Sequence, residues 1–286
     1  YKRQGKERSL ENCKKPGSQE RKNPSGMCIK RKEADNMGNK KIALVTGASS
    51  GMGREFVLQI HKRYPNLEEI WAVARNTKAL EQLRKKVPKL RICAWNLTSP
   101  QDLQRFQELL EKEKPQIKIL VNSAGMGIQK TVEETGLEDL WNTVQLNCTA
   151  FTAVLKICYP YCHNGSQVLC LSSGAAFVPQ PGFAAYAASK SYVLSFSRAI
   201  RKEWKGRAKI TIVCPGPVDT PFLEKMGGKE HMPAYKKYFL AKPEAVVEKA
   251  LKDSEKGKEL SVYGYSVKAL RVACKILPHS LILKFL

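Results

Sequence analysis

Tyr186 and Lys190 stand one helical turn apart, and a serine pair, Ser172 and Ser173, lies just upstream. Taken as Ser173, Tyr186 and Lys190, they would bring a hydroxyl, a phenol and an ammonium to one carbonyl oxygen. Such a set is a proton-transfer device. Free tyrosine ionises at about 10, so work near neutrality calls for roughly 4 kcal/mol of added preference for the phenolate. A nearby lysine charge supplies part of it, because an opposite charge favours the ionised form. Residues i and i+4 share a helix face, so the pair needs a helix and the serine needs the end of a strand.

Those elements are legible. Lys41-Ile42-Ala43-Leu44-Val45-Thr46 is a short apolar run of the kind buried in a parallel sheet, and it ends in Gly47-Ala48-Ser49-Ser50-Gly51-Met52-Gly53. Phe56, Val57 and Ile60 then follow at helical spacing. Amides at such a helix start carry the positive end of the dipole, and glycines let a pyrophosphate approach closely. The spacing departs from G-x-G-x-x-G, so the turn taken alone also fits a purely structural role. Further strands are predicted at 69–74, 90–95, 117–121, 167–171, 209–214 and 260–263. Helices alternate with them, including a long one from about Leu137 to Tyr161 and the one bearing Tyr186. This alternation predicts right-handed βαβ units, hence a doubly wound α/β fold on a parallel sheet, with ligands at the carboxyl ends of the strands.

Over residues 41 to 265 the ordered motifs resemble those of the short-chain dehydrogenase/reductases. Thr46-Gly47-Ala48-Ser49-Ser50-Gly51-Met52-Gly53 is similar to the family's cofactor loop, and Asn122-Ser123-Ala124-Gly125 to its Asn-Asn-Ala-Gly, with serine at the second position. Asn147, Ser173, Tyr186, Lys190 and then Pro215-Gly216 with Val218 and Thr220 follow in order. The resemblance implies a single Rossmann-type domain with helices on both faces and hydride transfer to or from a nicotinamide nucleotide. It makes Tyr186 the general acid in reduction and the base in oxidation. Lys190 then lowers the tyrosine pKa and holds the nicotinamide ribose, Ser173 polarises the carbonyl, and Asn147 holds a water for proton relay. The cofactor would meet the glycine loop, Asn122, Ala124, Gly125 and the segment Pro215, Gly216, Val218 and Thr220. The second strand ends in Ala74-Arg75-Asn76, and arginine there suits a 2′-phosphate where an acidic residue would suit a free ribose. NADP(H) is therefore expected over NAD(H), with Lys78 as a helper. Asn96 and Leu97 stand near the adenine, where the family often has an aspartate.

A chain of 286 residues with 43% hydrophobic content can bury one sizeable core. Its nine cysteines form no paired framework, and Cys158 and Cys162 lack histidine partners at zinc spacing. They read as reduced thiols of a cytoplasmic protein that holds no metal. The formal net charge is +23. Residues 1–40 are rich in Lys and Arg among few apolar groups, an extension expected to be disordered, and Met37 directly before the first strand reads as the natural start. Without aromatic interleaving, this arm gives no expectation of nucleic-acid binding.

Substrate choice falls to the segment after Pro215. Phe222, Leu223, Met226, Met232, Tyr235, Tyr238 and Phe239 make an apolar lid suited to a lipophilic ketone or alcohol, steroid-like or 3-oxoacyl. Residues 266–286 form an amphipathic segment in which Val267, Leu270, Cys274 and Leu277 alternate with Lys268, Arg271 and Lys275. It is too short to span a bilayer. Packing on the domain or on a twin subunit is the favoured reading, with peripheral membrane contact as the alternative. The long helices flanking the serine strand resemble those through which family members form homodimers and homotetramers. An NADPH-dependent carbonyl reductase is the leading function. A nucleotide-binding regulator that lost turnover is the competing one, disfavoured because a binding module has no need of Ser173, Tyr186 and Lys190 together.

Overall fold

The computed structural model describes residues 40–226 and 240–285. The basic extension, its proposed start at Met37, and the lid residues Met232, Tyr235, Tyr238 and Phe239 lie outside the described residues.

Seven parallel strands run in the order β3-β2-β1-β4-β5-β6-β7. They are β1 Lys41–Thr46, β2 Glu69–Val73, β3 Leu90–Cys93, β4 Gln116–Asn122, β5 Cys162–Leu171, β6 Ala208–Val213 and β7 Leu260–Ser261. Period-two alternation divides the core between the two sheet faces. Ile42 and Leu44 join one cluster with Phe106, Val154 and Val193, while Ala43 and Val45 join the other with Phe56, Ile60, Leu80 and Val247. The first face thus carries α3 (Pro100–Glu113), α5 (Phe151–Cys158) and α6 (Ala184–Glu203). The second carries α1 (Gly51–Arg63), α2 (Thr77–Arg84) and α8 (Pro243–Glu255). This is the doubly wound arrangement. Its strand order reverses between β1 and β4, the point at which such sheets open a crevice.

The stretch from Leu137 to Tyr161 is helical throughout, as predicted, but its winding changes along the way. Α4 (Leu137–Val144) passes into a π-helical stretch at Gln145–Ala150 before α5 resumes. The Asn147 side chain lies in that stretch and is bound at both ends to a loop residue, Met126, which holds the widened turn in place. Strand β5 starts five residues earlier than expected, at Cys162 instead of Gln167. Arg207 donates to the Cys162 carbonyl and Ser166 to that of Ile117, so this polar stretch is pinned although it breaks register against β4. Strands β2, β3 and β7 end one or two residues short of their predicted limits, as the chain turns out toward the carboxyl edge.

Candidate active site

At the carboxyl edge lies one cavity of about 1320 Å³. That exceeds the span of roughly 300–1,000 Å³ usual for one small ligand. Its wall includes Gly47, Ser49, Ser50, Gly51, Met52, Gly53, Arg75, Asn96 and Leu97, together with Ala124, Gly125, Ser173, Tyr186, Lys190, Pro215, Gly216, Val218 and Thr220. The nucleotide fits this wall on two observations. Gly47 and Gly51 have positive φ, and a Cβ at Gly53 would lie 2.2 Å from the Gly47 carbonyl oxygen, so the turn tolerates no side chain where it meets the start of α1. Ser50 caps α1 without a side-chain hydrogen bond, so the first-turn amides are left to a ligand or water.

Three of the expected site residues lie behind the wall. Thr46, fully buried, donates to Asn122 Oδ1 at 3.1 Å and accepts from the amides of Ser123 and Ala124 at 3.0 Å each. Asn122 donates to the Phe151 carbonyl at 2.9 Å. The two side chains tie β1, β4 and α5 together and fix the Ser123-Ala124-Gly125 wall. Asn147 Oδ1 accepts from Met126 N at 2.9 Å, and its Nδ2 donates to the Met126 carbonyl at 2.8 Å and to Ser189 Oγ at 2.9 Å. With both Nδ2 donors committed its side chain is a clamp, and the second lone pair of Oδ1 is its remaining group for the expected water. Asn96 Oδ1 is likewise engaged, by the amide and hydroxyl of Thr98, which leaves its Nδ2 as the amide group for an adenine. Lys78 is not among the residues of the cavity wall.

Tyr186 is held on all sides. Phe183 stacks on its ring at 4.3 Å between centroids and Phe222, on α7 (Pro221–Lys225), tilts against it at 5.8 Å. Beneath it sits Gly127, where a Cβ would come within 2.6 Å of Tyr186 Cδ2. The Tyr186 carbonyl accepts from Ser189, which itself accepts from Asn147. Lys190 is buried and donates to the Leu171 carbonyl at 3.1 Å, while Ser172 donates to the Lys190 carbonyl at 2.8 Å. Ser172 thus anchors the helix, and Ser173 is the serine whose hydroxyl acts on the Tyr186 phenol, favouring its ionised form.

Burial governs the electrostatics of the pair. Burial pushes the Tyr186 phenol up to about 12, with the Ser173 hydroxyl working against it, and burial pulls the Lys190 ammonium down to about 8. Lys190 Nζ lies 5.6 Å from the tyrosine ring centroid, and burial outweighs the other influences on both groups, so each shifts toward its neutral form.

Gly127, Phe183 and Phe222 escaped the sequence reading as parts of the tyrosine's setting. Gly127 had a local sign, the repeat Gly125-Met126-Gly127 after β4, but its need to be glycine comes from a ring 59 positions away in sequence. Gly127→Ala is expected to displace that ring and lower kcat at least about tenfold, with nucleotide affinity kept. Steady-state kinetics beside a nucleotide titration checks this, and unchanged kcat would remove the packing argument.

The family model for short chain dehydrogenases matches residues 41–231, and the chain belongs to that family of oxidoreductases. An uncharacterized oxidoreductase of Staphylococcus epidermidis is 26% identical over 189 residues, 64% of this chain and 80% of the relative. The 11-beta-hydroxysteroid dehydrogenase-like 3 protein of Arabidopsis thaliana is 27% identical over 213 residues, 70% of this chain and 68% of the relative. A short-chain dehydrogenase from Sphingobium yanoikuyae, solved in complex with NADPH, shares the fold with a TM-score of 0.71 at 23% identity, covering 85% of this chain and 95% of that one.

Proposed function

We propose that the protein is an NADPH-dependent carbonyl reductase acting on lipophilic ketones or aldehydes, reversible as an alcohol dehydrogenase. One observation carries this reading: Ser173, Tyr186 and Lys190 open onto the same cavity as the glycine-rich start of α1. A nicotinamide nucleotide, when bound, supplies or accepts the hydride. The chain's own work is to hold a carbonyl and move a proton. Kept neutral by burial, the Tyr186 phenol has its proton in place for donation to the carbonyl oxygen. Ser173, in the same cavity wall, can donate to the same oxygen and polarise it. Lys190, on the same helix face and in the cavity wall, is placed to hold the ribose and to steady the phenolate once the proton has left.

Val178, Phe183, Phe222, Leu223, Met226 and Leu270 also line the cavity, and these apolar groups support a lipophilic substrate. The hydroxysteroid dehydrogenase-like relative favours a ring system of that kind over an acyl chain. Arg75 in the wall beside Asn76 supports NADPH, since a guanidinium fork matches a 2′-phosphate, and the NADPH complex of the Sphingobium enzyme points the same way. The test is nucleotide oxidation against a panel of steroid ketones, 3-oxoacyl esters and aromatic aldehydes, run with NADPH and NADH. Turnover with NADPH is expected on some of the panel, and Arg75→Glu is expected to weaken NADPH at least about tenfold while NADH is little changed. A folded protein that binds NADPH and turns over no carbonyl would favour the regulator instead.

A further inference from the structure

Helix α9 (Tyr265–Ile276) has two apolar faces, and the fold uses one. The inner face packs Val267 against Ala176, Leu194, Ile212 and Cys214. The outer face carries Tyr265, Val272 and Ile276, which are 88%, 55% and 74% exposed and follow one another at i, i+7 and i+11, with small Ala269 completing the stripe. Exposed Lys268 and Lys275 run along one flank of it, and Lys268 Nζ lies 5.2 Å from the Tyr265 ring centroid. Beyond the helix, exposed Leu277, Leu281 and Leu283 extend the apolar surface. From Leu260 to Leu286 the chain has Lys268, Arg271, Lys275 and Lys284 and no acidic residue.

We propose that this outer face docks on an anionic phospholipid bilayer, with Tyr265, Val272 and Ile276 at the acyl boundary and Lys268 and Lys275 among the headgroups. The charge pattern selects this occupant. A stripe of apolar side chains flanked by cations and free of anions matches a negative lipid surface, whereas a two-fold contact with a second copy would set like lysine rows together. The other exposed apolar patch differs in this respect. On α4, Leu137, Trp141 and Val144 are exposed beside Glu138 and Asp139, an acidic setting that an anionic bilayer repels. Packing on the domain and contact with a membrane, alternatives for the sequence, are thus assigned to opposite faces of one helix. Ser266, Val267 and Leu270 of the same helix line the cavity, so docking sets the cavity beside the lipid in which a lipophilic carbonyl concentrates. That consequence rests on the proposed substrate class; the docking itself does not.

Co-sedimentation of the full chain with vesicles of phosphatidylcholine alone, and of phosphatidylcholine mixed with phosphatidylglycerol, tests the proposal without any turnover. Partition to the mixed vesicles is expected to be at least about tenfold stronger and to weaken in high salt. Val272→Ser with Ile276→Ser, and separately Lys268→Glu with Lys275→Glu, are each expected to reduce it at least about tenfold, with unchanged melting temperature and unchanged mass by light scattering. Equal partition to both vesicles overturns the proposal. So does binding that survives both variants, which would belong to other basic segments such as residues 1–40. A serine variant that instead lowers the mass in solution assigns the face to a second copy, and this too overturns it.

Discussion

Tyr186→Phe is expected to lower kcat by about 10²–10⁴-fold, the range set by losing a positioned general acid, while NADPH affinity changes by less than about twofold. The substitution removes one oxygen and little else. Its ring remains stacked on Phe183 and against Phe222, above Gly127, so the aromatic cluster should survive, and the α6 backbone stays tied through Ser189 to Asn147. The Ser173 hydroxyl, which acts on the phenol, accepts from Ala175 N at 3.1 Å and so keeps a bond when the phenol oxygen is gone. Melting temperature and nucleotide titration should therefore match the parent while turnover collapses. Ser173→Ala is expected to fall less far, because it removes a polarising group and leaves the proton donor. Retained turnover in Tyr186→Phe would mean that the proton comes from elsewhere, and the assignment of Tyr186 would fail.

Local pattern made β1 and the start of α1 legible, because the apolar alternation, the glycines and the spacing of Phe56, Val57 and Ile60 all lie within one short stretch. The fold class followed from repeating that pattern. Less legible was whatever depends on contacts across the fold. The pattern from Leu137 to Tyr161 reads as one helix, which it is, but its π-helical turn goes with Asn147 reaching Met126 in the loop after β4, a contact that spacing does not show. Motif order brought Thr46 and Asn122 together with residues of the wall, yet only the three-dimensional structure separates the wall from its support: these two bond each other and the main chain behind Ala124. The tyrosine shift depends on such contacts too. Spacing shows that Lys190 neighbours Tyr186, but not that both are buried, and burial decides the sign.

Lys190→Met is expected to make the ligand-free protein more stable at pH 7 while lowering turnover by about 10²-fold or more. The reason is the buried charge. Lys190 falls from the ordinary 10.5 to about 8 in the folded chain, and at about 1.4 kcal/mol for each pH unit this costs roughly 3 kcal/mol while the ammonium is charged. Methionine fills a similar volume and forfeits the bond to the Leu171 carbonyl, a loss of about 1 kcal/mol, so a net gain of about 2 kcal/mol remains. The sign then varies with pH. Below about 8 both folded and unfolded lysine are protonated, and the full penalty applies. Between about 8 and 10.5 the folded protein has released the proton and the unfolded chain still holds it, so the parent gains stability as pH rises. Above 10.5 both are neutral and the variant's advantage is gone. Tyr186, whose phenol rises from 10 to about 12, acts in the other direction, since ionisation of the unfolded chain above 10 removes stability, but it is present in both proteins and cancels in their difference. Denaturant unfolding of parent and variant at pH 7 and pH 10.5 therefore separates a costly ammonium held for function from a stabilising one. A variant that is less stable than the parent at pH 7, by an amount that does not change with pH, would show that Lys190 holds the fold together and is not kept at the expense of it.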